Sequence, residues 1–344
     1  MKSSIRLLLF AFLIVTQQTT AQQFQNALRY LEFVSGEQEI ITRNTWKYTK
    51  AIAHSKNDRA IDSKRNALIK SIERAQTKIA KAETFEGAEF KQNVLENLEL
   101  NKNLLQQDYA KIIDMKEVAD QSYDLMEAYM MAREMADEKM TKAQQEYEMH
   151  YYAYARKHNI EIIESESDLG KKMQISSEVF DHYNELYLIF FKANMNEVYL
   201  YDAIERDDIG AIQQSSSALL KSASEGLSIL DTVALYEKDR MLVDATRKVF
   251  EFYLDEAENQ VPKLTDFLIL NEEFETIRTQ LENTPKKKRT KAQIDAYNEK
   301  VPQINKAVDE YNRTNTLLNK KRQEVVGGLQ SAYERFLSKH IPKD

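Results

Sequence analysis

Glycine and proline are scarce in this 344-residue chain, and this scarcity restricts its possible folds more than any other feature. The chain holds 7 Gly and 4 Pro, and the 82 residues between Gly87 and Gly170 include neither. Average usage would supply roughly three to four times as many of these turn-forming residues. The long stretch is instead rich in Ala, Leu, Met, Gln, Glu and Lys, which favour helix. We therefore predict an all-α protein.

Two successive segments have the four- and three-residue spacing of helices that pack along one another. The first segment comprises Ile61, Arg65, Leu68, Ile72, Ala75, Ile79 and Ala82, of which only Arg65 is polar. The second comprises Leu95, Leu98, Leu105, Tyr109 and Ile112, and residues 84–87 lie between the two. The pattern predicts a helical hairpin within an elongated helical bundle with coiled-coil-like seams.

The segment after Gly87 is too long to be one helix of a compact domain. An unbroken helix over residues 88–157 would extend about 100 Å, so we expect either a very elongated bundle or a break within residues 114–120. Asn159 is expected to end this helical region, and the next helix is expected to begin at caps supplied by Ser165, Ser167 and Asp168. We therefore divide the chain into two sub-bundles, residues 22–163 and residues 164–344.

The second half shows the same organisation in shorter segments. Helix breaks are expected at residues 207–210, at Gly226, near Pro262 and at residues 283–285. Pro302 lies inside a helical pattern and should kink the helix or restart it. Residues 286–289 are all basic; we interpret them as a solvated connection, and the alternative is a contact for an anionic surface.

Residues 1–21 have the pattern of a secretory signal peptide. Lys2 and Arg6 precede an apolar run over residues 7–15, which is too short to span a membrane, and Ala21 ends the segment before Gln22. We predict cleavage after Ala21 and export to the periplasm or the cell surface. Cleavage would remove two basic residues and lower the formal net charge from −7 to −9.

The composition excludes several classes of protein. The chain has no Cys, which excludes disulfide bonds, thiol catalysis, cysteine metal sites and a thioether-linked lipid. Its acidic balance argues against nucleic-acid binding, which needs a basic face. Beyond the signal segment no apolar run approaches the length of a membrane span.

Signatures of catalysis and metal binding are missing from the sequence. None of the five His follows a Glu by three residues, and the zinc-peptidase, serine-hydrolase and nucleotide-binding motifs are absent. Glu178, His182 and Glu185 share one helical face and are a candidate metal site, although chance spacing in a Glu-rich chain is the simpler explanation. We expect no enzymatic activity, no cofactor and no metal.

The most regular pattern is a row of asparagines near the C-terminus. Asn298, Asn305, Asn312 and Asn319, here named the amide row, recur every seven residues, each directly after a large residue. The neighbouring seam is expected to contain Ile304, Val308, Tyr311, Asn315, Leu318 and Val325. The favoured interpretation is that buried amides fix the register of neighbouring helices. The alternative is an interaction face for a glycan or peptide, formed by Tyr297, Asn298, Asn305, Tyr311, Asn312 and Asn319.

A stripe of tyrosines and methionines occupies the middle of the chain. Tyr147, Tyr151 and Tyr154 share a helical face, and Met126, Met130, Met131, Met135, Met140 and Met149 lie nearby in sequence. Such a stripe is typical of a bundle core. The alternative is an adaptable groove with which an exported chaperone would hold unfolded clients.

Several stretches resemble an uncharacterised family of exported, helix-rich surface proteins of Gram-negative bacteria. These stretches are residues 187–192, 295–298, 311–312 and 336–342. The resemblance implies export and surface exposure, and it implies no catalytic residue. Our hypothesis is a non-enzymatic exported structural or interaction protein of the periplasm or cell surface, with a protein or cell-envelope partner and an undetermined oligomeric state. The alternative is a periplasmic holdase.

Overall fold

The computed structural model describes residues 24–55, 57–86, 88–162 and 167–343. The predicted signal peptide lies outside the described residues. Helix accounts for 88% of the described residues, and no strand occurs among them, which confirms the predicted all-α helical bundle. Within these ranges no helix is both long enough and apolar enough to cross a membrane.

Ten α-helices follow one another along the described chain. The first five are α1 (Ala27–His54), α2 (Asp58–Lys81), α3 (Glu89–Asn103), α4 (Tyr109–Ala119) and α5 (Tyr123–Lys157). The next five are α6 (Asp168–Glu205), α7 (Ile209–Leu230), α8 (Met241–Asp255), α9 (Val261–Asn283) and α10 (Lys291–His340). Single π-helical turns, Leu104–Asp108 and Glu256–Gln260, join α3 to α4 and α8 to α9 without a loop. The chain is therefore built from a few long, nearly continuous helical rods.

The first core lies among α1, α2, α3 and α5. The predicted hairpin of α2 and α3 is confirmed: the seam residues from Leu68 to Ala82 are buried, and Ile61 is half-buried. Arg65, the polar member of the seam, donates to the carbonyl oxygen of Leu105 over 3.4 Å and pairs with Asp62 at 3.2 Å. The seam thus tolerates one arginine because its polar head finds partners at the edge of the core.

A second core fills the space among α6, α7, α8 and α10. Its fully buried members include Leu186, Phe250, Tyr253 and Phe336. Trp46 belongs to this core although it lies on α1, so α1 contributes to both cores. A small third cluster of Ala119, Met126, Phe191 and Met195 forms where the start of α5 meets α6. The two large cores are therefore connected by packed apolar side chains.

Most predicted helix ends are confirmed by local capping geometry. The break expected within residues 114–120 falls between α4 and α5, where Ser122 accepts from the backbone N–H of Leu125 over 3.2 Å. Asn159 has a φ of 54°, and the backbone N–H of Ile160 donates to the carbonyl of Ala155 over 2.9 Å. Ser167 caps α6 by accepting from the N–H of Gly170 over 3.0 Å. These are standard N-cap and left-handed C-cap arrangements.

Of three further expected interruptions of helix, the break at Gly226 is wrong, the break near Pro262 falls at the junction of α8 and α9, and Pro302 does not restart its helix. Gly226 lies inside α7 and is buried, because α7 approaches α8 so closely that a side chain would overlap Phe250. At Pro262 the chain passes from α8 to α9 through a π-turn, which accommodates the missing backbone N–H without a loop. Helix α10 continues through Pro302, whose exposed position leaves the lost hydrogen bond to solvent.

Candidate interaction site

The outer part of α9 and the start of α10 project from the bundle as a two-helix arm. Burial within α9 is confined to Val261, Leu264, Thr265 and Leu268. None of residues 269–303, all of which the structure describes, is buried, and burial resumes at Ile304. We name residues 269–303 the arm. The 15 residues of α9 within it extend about 22 Å beyond the last buried position.

The two helices of the arm are held together by aromatic pairs and an ion pair. At its base Phe267 and Tyr311 have ring centroids 4.3 Å apart, and midway Phe274 and Tyr297 are 5.6 Å apart. Lys300 Nζ lies 2.7 Å from a carboxylate oxygen of Glu273. Such aromatic pairs each contribute about 0.5–1.5 kcal/mol beyond their buried area. Both tyrosines of the predicted interaction face are therefore used to pack α9 against α10.

The amide row lies on the exposed side of α10. Asn298, Asn305, Asn312 and Asn319 are all exposed, so the favoured interpretation of buried amides is wrong. Asn319 still connects two helices, because its side-chain oxygen accepts from the Tyr201 hydroxyl on α6 over 3.0 Å. The structure therefore places the row beside the seam, where its amide groups are accessible to a partner.

The seam of α10 also differs from the expected one. Its covered stripe consists of Ile304, Ala307, Tyr311, Thr314 and Leu318, which alternates three and four residues. The expected members Val308 and Asn315 lie one position later; Val308 is 37% exposed and Asn315 half-buried. On either side of Ile304, α10 packs on α9 through the ring pairs Phe267–Tyr311 and Phe274–Tyr297. A single neighbouring helix covers only a narrow stripe of α10, so a shift of one position moves a residue out of the covered stripe.

The tyrosine and methionine stripe separates into two groups. Tyr147 and Tyr154 are buried in the first core, which confirms the core interpretation for the tyrosines. The Tyr154 hydroxyl donates to the carbonyl of Phe85 over 3.0 Å. Met131, Met135 and Met149 are 57%, 56% and 58% exposed, respectively, and lie on α5. The tyrosines therefore do not line an open groove.

The three residues considered as a metal site do not converge. His182 is buried with its ring 5.5 Å from that of Phe336, and burial lowers its pKa. Glu178 and Glu185 are exposed. Nowhere in the described ranges do three or more carboxylates and imidazoles meet as metal ligands would. The candidate metal site at these residues is thus not supported by the geometry.

A buried cluster of three charged residues connects α6, α10 and the π-turn after α8. Arg322 on α10 contacts Glu197 on α6 through Nε and lies 2.6 Å from Glu256 through Nη2. Its guanidinium carbon also lies 3.7 Å from the centre of the Tyr201 ring. The two carboxylates are 4% and 0% exposed, respectively. One cation is therefore shared by two buried anions.

The electrostatics of this cluster favour a proton on one carboxylate. Burial raises the pKa of Glu256 to about 7, because desolvation outweighs the attraction of Arg322 and the nearby Glu197 charge opposes ionisation. Burial raises the pKa of Glu197 as well. The second oxygen of Glu256 is buried without a hydrogen-bond partner in the described structure. Sequence spacing gives no signal for this cluster, since its members are separated by 66 and 125 residues.

Comparison with protein-family models, with curated proteins and with solved structures found no match. The fold and the projecting arm define the chain as an all-α helical-bundle protein. The resemblance to exported, helix-rich surface proteins remains a prediction.

Proposed function

We propose that this chain is a non-enzymatic, exported interaction protein of the periplasm or cell surface, which binds a protein partner along the amide row. The observation that carries the proposal is the exposure of all four asparagines on a helix that extends from the bundle into the arm. An asparagine side chain offers two donors and acceptor lone pairs, so the row presents hydrogen-bonding groups over about 32 Å. This length suits an extended segment or a helix of a partner.

Ordering the arm is entropically unfavourable unless the arm makes further contacts. Fixing each backbone residue opposes folding by about 1–2 kcal/mol, and apolar burial is the main term that offsets it. The arm has no buried residue, so its own seam offsets little of this entropy. A partner that covers the exposed side of α10 would provide the missing burial.

The partner contact is tested by photo-crosslinking in the native host. A photo-reactive amino acid is placed at Asn298, Asn305 or Asn312, and at Gln214, an exposed position on α7, as the matched control. We expect one discrete crosslinked product common to the three row positions and none from Gln214. Equal products from the row and the control would contradict the proposal, as would no product from the row.

Export is supported by the composition of residues 1–21 and by the resemblance to exported proteins. The test is the N-terminal sequence and compartment of the protein purified from its own host. We expect an N-terminus at Gln22 and recovery outside the cytoplasm. An intact leader on a cytoplasmic product would contradict this part of the proposal.

A holdase function is the second candidate, favoured only by the exposed Met131, Met135 and Met149. Flexible thioether side chains suit contacts with varied apolar segments. In that case the protein at equimolar ratio would slow the aggregation of a model client, and replacing the three residues by Gln would abolish the effect. Unchanged client aggregation in the presence of the protein would remove this candidate.

A further inference from the structure

The tip of the arm is a rigid basic turn. Lys286, Lys287 and Lys288 form a single 3-10 turn and are all exposed. Lys288 donates its backbone N–H to the carbonyl of Pro285 over 2.7 Å. The Nε of Arg289 donates to the carbonyl of Thr284 over 3.0 Å. A capping box at Thr290 and Gln293 fixes the start of α10. The three lysines are thus exposed on a turn whose backbone is fixed by hydrogen bonds before and after it.

These lysines are electrostatically unsatisfied within the described structure. No carboxylate of the described residues lies within ion-pair distance of Lys286, Lys287 or Lys288. The sides of the arm have the opposite charge. The acidic residues along them are Glu272, Glu273, Glu275, Glu282, Asp295 and Glu299, against the basic residues Arg278, Lys291 and Lys300. The charge therefore changes sign between the sides of the arm and its end.

A basic tip between acidic sides fits some classes of anionic partner and disfavours others. A nucleic acid extending past the tip would meet the acidic sides of the arm, and a net acidic protein offers it no continuous basic face. A small anion would need a concave set of converging donors, whereas the lysines lie on a convex turn and Arg289 is directed back to the loop. A flat surface perpendicular to the arm would contact the basic end alone. Clusters of several Lys or Arg are attracted to bilayers containing anionic lipid.

We propose that the tip of the arm, Lys286, Lys287 and Lys288, docks onto the surface of an anionic lipid bilayer, with the arm standing upright on it. The contact uses the end of the arm, so the exposed side of α10 stays accessible to a protein partner. The proposal does not rest on that partner, because the two surfaces share no residue.

The expected loss of vesicle binding follows from the contribution of each lysine at the tip. Each Lys near an anionic surface contributes about fivefold to partitioning, so replacing three by Gln should weaken binding by roughly 100-fold. The matched control replaces Lys248, Lys306 and Lys320, which are also exposed, by Gln. Both variants have the same net charge and the same N-terminal apolar run, so any difference between them reports the tip.

The experiment is co-sedimentation of the full chain with vesicles of phosphatidylglycerol and phosphatidylcholine, or of phosphatidylcholine alone. We expect binding to the anionic vesicles, weakening at about 0.5 M salt, loss in the tip variant and retention in the control variant. Circular dichroism of both variants verifies that they fold. Equal binding of the two variants would overturn the proposal. Tip-dependent binding to an oligonucleotide or an acidic peptide, without binding to vesicles, would also overturn it.

Discussion

Replacing Gly226 by Ala is expected to destabilise the protein, although alanine is normally the better helix residue. A Cβ at this position would lie 2.5 Å from Cε2 and 2.7 Å from Cζ of Phe250. The Phe250 ring is 0% exposed, so it has no solvent-filled space into which to move. Close approach of α7 and α8 is therefore possible only with glycine here.

The magnitude follows from two opposing terms. The gain in helix propensity is about 1 kcal/mol, whereas forcing a methyl group into a packed core costs about 1–3 kcal/mol. The difference between the two terms gives a loss of up to about 2 kcal/mol in the free energy of unfolding for Gly226→Ala. Gly327→Ala is the matched control, because Gly327 is exposed on α10 with no atom within 4 Å of its would-be Cβ. It should raise the free energy of unfolding by about 0.5–1 kcal/mol.

The assay is urea unfolding followed by far-ultraviolet circular dichroism. A second variant, Gly226→Ala with Phe250→Leu, tests the mechanism directly, because the smaller side chain at 250 makes room for the added methyl group. The double variant should be more stable than the sum of the two single effects predicts. A Gly226→Ala protein that is as stable as the Gly327→Ala protein would refute the packing argument.

Three further predictions concern the buried cluster and the joint between the cores. Glu256 titrates near 4.5 when unfolded and near 7 when folded, so the folded state binds the proton more tightly between these values. The free energy of unfolding should therefore fall by up to about 3 kcal/mol as pH rises through this window, and Glu256→Gln should remove most of the slope in pH-dependent urea unfolding. Arg322→Met leaves Glu197 and Glu256 without their cation and should destabilise the protein by about 3–5 kcal/mol at neutral pH, and by less at pH values where Glu256 is protonated. Trp46→Ala should destabilise the second core by about 3–5 kcal/mol in thermal unfolding, because this α1 side chain is only 8% exposed there.

The helical seams and helix caps of this fold were predictable from the sequence, because residue spacing and hydrogen bonds between near neighbours in the chain determine them. The seam of α2 repeats over six turns, and Asn159 and Ser167 adopt the capping conformations that their side chains favour. The same local rules misread Gly226, because a glycine in a helical pattern indicates a break unless a neighbouring helix requires the space. Its role depends on Phe250, which is distant in sequence and adjacent only after folding.

The candidate site was only partly predictable for a related reason. Heptad spacing located the amide row and its tyrosines, but exposure depends on how many helices surround α10 at each level. The sequence contains no direct sign that the arm projects beyond the bundle. The cluster of Arg322, Glu197 and Glu256 gave no signal, because its members come together from three separate helical segments.

The most direct test of the account is deletion of the arm. Residues 269–303 would be replaced by a short Gly/Ser linker between Leu268 on α9 and Ile304 on α10, the buried residues on either side of the arm. Because the arm contributes no buried residue, the shortened protein should keep its helical signal and lose no more than about 1 kcal/mol of unfolding free energy. It should also lose binding to anionic vesicles, and the crosslink from Asn305 should weaken, because the amide row loses Asn298 and the partner loses its contacts along the arm. A shortened chain that fails to fold, or one that folds and keeps both interactions, would contradict the claim that the arm is an interaction element and not part of the core.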